Sequence, residues 1–319
     1  MNFPYKRVVM VSPRRLGDTI FCTPAIRFLK KCCPEIRLDI IALSEIAEGA
    51  LEHNPSIDHL WFRPNKRETK DKRGFYDIGI NIHRSQEATE YFTRLGVEVL
   101  EVPLRDYNIH QASDLLRFIS RLVGKQPDGD DYRYFLYPQE SNFTNAKNLL
   151  LSHHVDIKRE SLIGIQLGVH STSKGGRKFW KPLRHPKMWP IENYLQLEST
   201  LKDINNRIKF VLVGSKGERA LANRFKKKSV DAINLVGETS ILDLAALMTY
   251  FRIFISPDTG PLHIACAMGI NVVALFGPTN YRHTGPYPGG DNTRVISAGN
   301  MSKILPEDIV KTIQRLTQL

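Results

Sequence analysis

Short apolar runs alternate with amphipathic stretches along the whole chain, a pattern that predicts an α/β protein. Runs rich in Val, Ile, Leu and Phe that end in Gly, Pro, Ser or Asp are typical of buried strands followed by turns. We predict strands over 7–11, 38–43, 76–82, 97–100, 209–214, 253–255 and 272–276, with another beginning at 162. Helices are expected over 19–31, 112–123, 142–153, 241–248 and 306–319. Because both halves repeat β-α-β order, we expect two doubly wound Rossmann-like domains that face each other across a central cleft.

The polar stretch 156–161 is the expected domain boundary. A chain of 319 residues is long enough for two domains with separate cores. We therefore predict domains over 1–158 and 159–319, with a terminal helix that could pack back on the first domain.

The stretch Ser256–Ala265 is the strongest candidate for chemistry. It lies between two apolar runs, so it reads as a strand, a tight turn and a short helix. A helix that opens at Thr259 and Gly260 presents unpaired N–H groups to an anion such as a diphosphate. His263, one turn into this helix, occupies a place where an apolar side chain would be cheaper to bury. The alternative is that Asp258 and Thr259 only cap the helix.

The formal net charge of +12 implies an anionic partner, such as a phosphorylated substrate, a membrane surface or nucleic acid. Two segments concentrate this charge. Residues 63–74 hold six basic residues against two acids, and residues 174–187 hold six basic residues and no acid. The second suits a phosphate clamp, whereas such runs are otherwise solvated loops. Few aromatic residues are interleaved and no nucleic-acid motif occurs, so we expect no nucleic-acid partner.

Asp18 is the first half's candidate for a general base, because it follows a predicted strand and loop beside Gly17. The competing interpretation is a helix N-cap. Neither a dinucleotide fingerprint nor a P-loop is present. In the second half, the strand 209–214 ends in glycines before Glu218, which could bind a nucleoside's base or ribose hydroxyls or could simply be a first-turn helix acid.

No metal or cofactor site is expected. Asp128-Gly129-Asp130 has an Asp-x-Asp pattern, but no apolar strand leads into it, and we interpret it as an exposed turn. The four cysteines contain no Cys-x-x-Cys pair, and we find no signal peptide or long apolar run. A reduced, cytoplasmic protein is therefore expected.

Several segments, in order, resemble glycosyltransferase family 9, the ADP-heptose:lipopolysaccharide heptosyltransferases. The matching motifs are Leu16-Gly17-Asp18, Thr23–Arg27 with Leu29-Lys30, Lys187–Pro190, Gly214 with Glu218, Asp258–Gly260 with His263 and Ala265, and Phe276–Thr279. Each motif alone is weak, whereas the ordered set spans residues 8 to about 286. The resemblance implies a GT-B fold and an inverting reaction without a required metal.

The resemblance also implies roles for single residues. Asp18 would match the catalytic base, Lys187 the diphosphate-contacting lysine and Glu218 the acid that binds the nucleoside. The donor-binding turn would contain Asp258, Thr259, Gly260 and His263. The donor would be a nucleotide sugar, with ADP-heptose expected, and the acceptor an anionic lipid-linked saccharide of the lipopolysaccharide inner core at the inner face of the membrane. For the acceptor we expect basic residues of the first domain: Arg14, Arg15, Arg63, Lys66, Arg67 and Arg84.

The chain departs from the family pattern in two places. Gln166–His170 lacks the proline-glycine turn often found there, and the loop over 171–186 is longer than usual. Both departures bear on which sugar the donor carries, more than on the predicted fold. An epimerase or hydrolase on the same scaffold remains the main alternative, ahead of a non-enzymatic nucleic-acid binder.

Overall fold

The computed structural model describes residues 3–104, 106–169 and 185–317. The chain divides into two compact units, an N-terminal unit, Met1–Tyr137, and a C-terminal unit, Pro138–Leu319. The expected boundary lay after residue 158. The difference is one helix, Glu140–Ser152, which packs against the helix Ile241–Met248 of the C-terminal unit.

The N-terminal unit has one parallel sheet in the order β3-β2-β1-β4-β5 among its described residues. Its strands are β1 (Arg7–Val11), β2 (Arg37–Ala42), β3 (His59–Phe62), β4 (Ile78–Asn81) and β5 (Val99–Glu101). Its helices are α1 (Leu16–Cys32), α2 (Glu45–Leu51), α3 (Lys66–Asp71), α4 (Gln86–Leu95) and α5 (Gln111–Val123). Parallel strands covered on both faces are apolar along their whole length, and Val8 to Val11 are all fully buried.

The C-terminal unit has a second sheet in the order β11-β10-β9-β6-β7-β8, and every described pairing is parallel. Its strands are β6 (Ser161–Gln166), β7 (Ile208–Val213), β8 (Ile233–Asn234), β9 (Ile253–Pro257), β10 (Val272–Phe276) and β11 (Thr293–Ser297). Its helices are α6 (Glu140–Ser152), α7 (Ile191–Ile204), α8 (Arg219–Lys226), α9 (Ile241–Met248), α10 (Gly260–Ala267), α11 (Tyr281–Thr284) and α12 (Pro306–Thr317). The terminal helix α12 packs on α7, within its own unit.

The predicted fold class, two doubly wound parallel α/β domains, is confirmed. Two local predictions were wrong. Helix α1 begins at Leu16 rather than Thr19, because the amide of Thr19 already bonds the carbonyl of Arg15 at 2.9 Å. The basic stretch after β3 is not an extended loop, since α3 forms there behind a capping box between Asn65 and Glu68.

Helix α1 also contains Pro24, which lacks the N–H that would bond the carbonyl of Ile20. The hydroxyl of Thr23 donates to that carbonyl at 2.7 Å and in turn accepts from the amide of Phe135 at 3.0 Å. Thr23 and Pro24 therefore act as a unit that keeps α1 intact and ties it to the chain after α5.

No helix among the described residues is long and apolar enough to cross a bilayer.

Candidate active site

The topological switch point of the second sheet lies between β6 and β9. The chain proceeds from β6 to β7 and β8 on one side and from β9 to β10 and β11 on the other. The loops after β6 and β9 consequently diverge, and open α/β sheets bind ligands at such a switch point, beyond the carboxyl ends of the strands. Gln166 ends β6, and Asp258 directly follows β9.

The turn after β9 leads directly into α10. Thr259 is the N-cap, but its side chain makes no cap bond to the helix; its hydroxyl lies 3.0 Å from the hydroxyl of Ser256. Gly260 and Pro261 open the helix, and Pro261 has no N–H. His263 is buried, at 2% exposure. The capping alternative for Thr259 is therefore not supported, and the positive end of α10 points to the switch point without a side-chain cap.

Lys187 and Asp258 form an ion pair at this switch point. Lys187 Nζ lies 2.6 Å from Asp258 Oδ2, with the lysine side chain one-third exposed and the aspartate 9% exposed. Asp258 thus holds the ammonium group beside the N-terminus of α10. The Lys187 side chain is one-third exposed, so an anion that shares or replaces Asp258 can contact both the ammonium group and the N-terminus of α10.

The segment that carries Lys187 is held in place by contacts of its neighbours Pro186 and Trp189 with the rest of the C-terminal unit. The indole Nε1 of Trp189 donates to the carbonyl of Ile304 at 3.0 Å. Its ring packs edge-to-face on Tyr194, with 4.6 Å between the ring centroids. Gly277 lets the chain come close here, because a Cβ at this position would lie 2.8 Å from Met301 Cγ and 3.0 Å from the carbonyl oxygen of Pro186. The glycine of the Phe276–Thr279 motif is therefore required by packing.

Glu218 lies buried at the carboxyl end of β7, in the turn before α8. Its Oε2 accepts from the amide and hydroxyl of Ser215 at 2.8 and 2.9 Å, and its Oε1 accepts from Gln166 Nε2 at 2.7 Å. Burial raises the pKa of this carboxyl group, although the three hydrogen bonds oppose the shift. Glu218 ends the short 3-10 turn Lys216–Glu218 and is the N-cap residue of α8, so its position near a helix N-terminus also agrees with the macrodipole interpretation.

Gln166 is a residue that sequence reasoning missed as a functional candidate. Its Nε2 donates to both Glu218 and the carbonyl of Gly168, and this fixes the orientation of the amide. Its Oε1 is buried and has no hydrogen-bond partner among the described residues. A polar residue at the end of an apolar strand was the available signal.

Asp18 lies at the corresponding switch point of the first sheet, between β1 and β4. It is the third residue of α1, one turn after the N-cap Arg15, so it is not the N-cap. Asp18 is partly exposed. The cap interpretation is thereby corrected, and the carboxylate lies in the first helical turn at the mouth of this crevice.

Three of the six basic residues predicted for the acceptor follow β1 or β4 and flank the same crevice. Arg14 forms a bidentate pair with Glu87, at 2.7 and 2.6 Å, and Arg84 lies 3.2 Å from Glu101. Arg84 also has a left-handed backbone, with φ of 53°. Arg15 follows β1 as well. Arg63, Lys66 and Arg67 lie instead beyond β3, an outer strand, so the six do not form one cluster.

The C-terminal unit, which contains the Lys187–Asp258 ion pair, matches a known protein family. The model of glycosyltransferase family 9 (heptosyltransferase) matches residues 182–311. Lipopolysaccharide heptosyltransferase 2 of Salmonella typhimurium is 31% identical, over 88% of this chain and 85% of the relative. The chain belongs to glycosyltransferase family 9.

Solved structures of the family share the fold. A family 9 glycosyltransferase from Veillonella parvula superposes with a TM-score of 0.83 at 20% identity, covering 100% of this chain and 99% of the other. The ADP-heptose lipopolysaccharide heptosyltransferase II of E. coli gives a TM-score of 0.79 at 18% identity, with 98% of each chain covered. The family assignment makes this protein a glycosyltransferase and confirms the GT-B fold.

The Asp-x-Asp stretch of this family member is a short 3-10 turn, Gly129–Tyr132. Asp128 and Asp130 are largely exposed, whereas Asp131 is buried and pairs with Lys31 at 2.9 Å and Arg27 at 3.3 Å. Across residues 3–104, 106–169 and 185–317, no group of three His, Cys, Asp or Glu side chains could hold a metal. The buried aspartate anchors the turn to α1.

The second basic segment falls mostly outside the described residues. Of the six basic residues over 174–187, Lys187 alone lies in a described range.

Proposed function

We propose that this protein transfers a heptose from ADP-heptose to the inner core of lipopolysaccharide, with inversion at the anomeric carbon. The observation that carries the proposal is the Lys187–Asp258 pair beside the uncapped N-terminus of α10, at the switch point of the C-terminal sheet. The names of the relatives support the substrates, since the similar proteins are heptosyltransferases of lipopolysaccharide, and one is named for ADP-heptose.

The C-terminal unit binds the donor in this proposal. The diphosphate rests on the turn Asp258–His263, where the helix N-terminus, the hydroxyl of Thr259 and the ammonium group of Lys187 stabilise it. Asp258 orients Lys187 in the absence of donor. Glu218, held by Ser215 and Gln166, accepts hydrogen bonds from the nucleoside.

Asp18 of the N-terminal unit is the proposed general base. A sugar hydroxyl is a weak acid, so a carboxylate must accept its proton as the oxygen attacks the anomeric carbon. The bond from that carbon to the β-phosphate oxygen breaks in the same step, and ADP leaves with an added negative charge. Lys187 and α10 stabilise this charge, which is the task that a metal performs in metal-dependent transferases. The reaction then needs no metal.

The anionic acceptor lies at the inner face of the cytoplasmic membrane, where the net charge of +12 favours peripheral contact. Of the six basic residues predicted for the acceptor, we propose Arg14, Arg15 and Arg84, which follow β1 and β4 beside the crevice that contains Asp18.

The test is product analysis with ADP-heptose, with and without a heptose-deficient lipopolysaccharide acceptor. We expect a glycosylated acceptor and one ADP per transfer, with little ADP released when the acceptor is omitted. Release of a free sugar or its epimer at the same rate without acceptor would favour the hydrolase or epimerase alternative. Thermal shift with ADP, compared with UDP and GDP, tests the nucleotide separately.

A further inference from the structure

The exposed apolar residues of the N-terminal unit are confined to one edge of its sheet. Among its described residues, four large hydrophobic side chains are at least two-fifths exposed: Ile46 at 41%, Phe62 at 41%, Leu104 at 81% and Tyr107 at 65%. We call these four residues the apolar rim. A random scatter of exposed apolar residues needs no explanation, whereas a cluster on one edge indicates a contact surface.

Each rim residue lies at or shortly after the carboxyl end of a strand. Phe62 is the last residue of β3, Ile46 is in the first turn of α2 after β2, and Leu104 and Tyr107 follow β5. Because all strands are parallel, these ends lie at one edge of the sheet. Since β3 and β5 are the outer strands, the rim extends over four strand spacings, or ~19 Å.

Basic side chains accompany the β3 end of the rim. Arg63, Lys66 and Arg67 follow Phe62 directly; all three are exposed, and none has a described carboxylate within 4.0 Å. We call these three residues the basic flank. Glu68 lies beside them and carries one negative charge against their three positive charges, so these four residues have a net charge of +2.

We propose that the apolar rim and the basic flank dock this edge of the N-terminal unit on an anionic phospholipid bilayer. Tyr and aliphatic side chains are favoured at the bilayer interface, and exposed basic residues are attracted to anionic headgroups. The two signals together give stable peripheral binding where either alone is marginal. The inference rests on the proposed function, since a lipid-linked acceptor brings the enzyme to a membrane.

This surface has a consequence for the acceptor. The carboxyl edge that would meet the bilayer is the same edge at which Asp18 and Arg14 lie, after β1. A saccharide anchored in the bilayer would then reach the crevice of the first sheet from the side of its lipid.

The experiment is co-sedimentation of the full chain with vesicles of phosphatidylglycerol and phosphatidylcholine, or of phosphatidylcholine alone. We expect binding to the mixed vesicles only. The triple variant Arg63→Gln/Lys66→Gln/Arg67→Gln should bind on the order of 100-fold more weakly, from about fivefold per charge. The double variant Leu104→Asn/Tyr107→Asn should bind at least about tenfold more weakly.

Matched controls come from the C-terminal unit. Lys227→Gln/Lys228→Gln/Lys303→Gln removes the same charge, and Leu151→Asn/Val230→Asn replaces two exposed apolar residues. Both should bind vesicles like the wild type. Equal losses in the controls, or no binding of the wild type to mixed vesicles, would overturn the proposal.

Two further measurements separate the other outcomes. If the rim joins two copies of the chain, the wild type sediments as a dimer, the rim variant as a monomer, and neither binds vesicles, which also overturns the proposal. All variants should retain the thermal shift with ADP, which shows that they are folded. If vesicle binding fails while ADP stabilisation and transfer persist, the docking surface is wrong and the proposed function stands.

Discussion

Removal of the Lys187 ammonium group tests the donor site most directly. In the free protein this group lies 2.6 Å from Asp258 Oδ2, so a diphosphate must share or replace an existing partner. Lys187→Ala removes one charge-assisted contact and leaves the nearly buried Asp258 carboxylate without its cation. Both changes weaken binding of ADP.

The magnitude follows from the charges. Two unit charges ~4 Å apart at an effective dielectric constant of ~20 interact by about 4 kcal/mol. Part of this energy is already present in the pair with Asp258, so the exchange of partners yields less. We expect a net loss of about 1.5–3 kcal/mol, the range of a hydrogen bond to a charged group, or roughly 10- to 150-fold in Kd. In Lys187→Ala/Asp258→Asn, part of this loss should be recovered, because the repelling carboxylate is gone.

Isothermal titration calorimetry with ADP measures these affinities. Lys209→Ala is the matched control, since Lys209 forms a similar 2.6 Å pair with Glu160 at the amino-terminal end of β7, away from the switch point. That variant should bind ADP like the wild type. If Lys187→Ala binds ADP within about twofold of the wild type, the diphosphate lies elsewhere.

Three other predictions concern the base, the metal and pH. Asp18→Asn should lower kcat by ~10²–10⁴ and leave ADP affinity unchanged; turnover within a few-fold of the wild type would restrict Asp18 to a structural role. Asp128→Ala/Asp130→Ala should retain activity, as should the wild type in excess chelator, whereas loss in chelator that magnesium or manganese restores would contradict a metal-independent donor site. Glu218→Gln should bind ADP more weakly, and its Tm relative to the wild type should rise with pH. The pKa of Glu218 is raised by burial, so the native state binds more protons than the unfolded chain, and the stability of the wild type falls as pH rises above the ordinary range of a glutamate. A Tm difference that is constant between about pH 4 and 8 would show that the carboxyl group is not destabilised by burial.

The fold was predictable because buried parallel strands leave a simple pattern. Val272–Phe276 and the helix Ile241–Met248 were predicted with their observed bounds. The strand His59–Phe62 was not predicted, because it is a short outer strand of four residues, all of which are at least partly exposed. Helix α3 was missed because its lysines and arginines indicated a loop, whereas the cap of Asn65 and Glu68 decides its structure.

The candidate site was partly predictable for the same kind of reason. The turn after β9 could be located because a strand, a Gly-Pro helix start and a second strand follow each other in the sequence. The Lys187–Asp258 pair could not be derived, since it joins residues 71 positions apart whose approach depends on strand order. The same holds for Gln166 and Glu218, which meet only because β6 and β7 are neighbours.

The contacts of Ile304 and Met301 with the segment around Lys187 make the proposed donor site depend on the last residues of the chain. A protein truncated after Ser297 would retain β11 and every residue proposed to touch the donor, yet it would lose Met301 and the Ile304 carbonyl that hold the Trp189 segment in place. Premature stop codons close to the end of a gene are often regarded as harmless. In this protein such a codon would remove the support of Lys187 together with the buried core side chains Ile309 and Ile313 of α12, so the loss of nucleotide affinity would come with a loss of stability of the whole C-terminal unit.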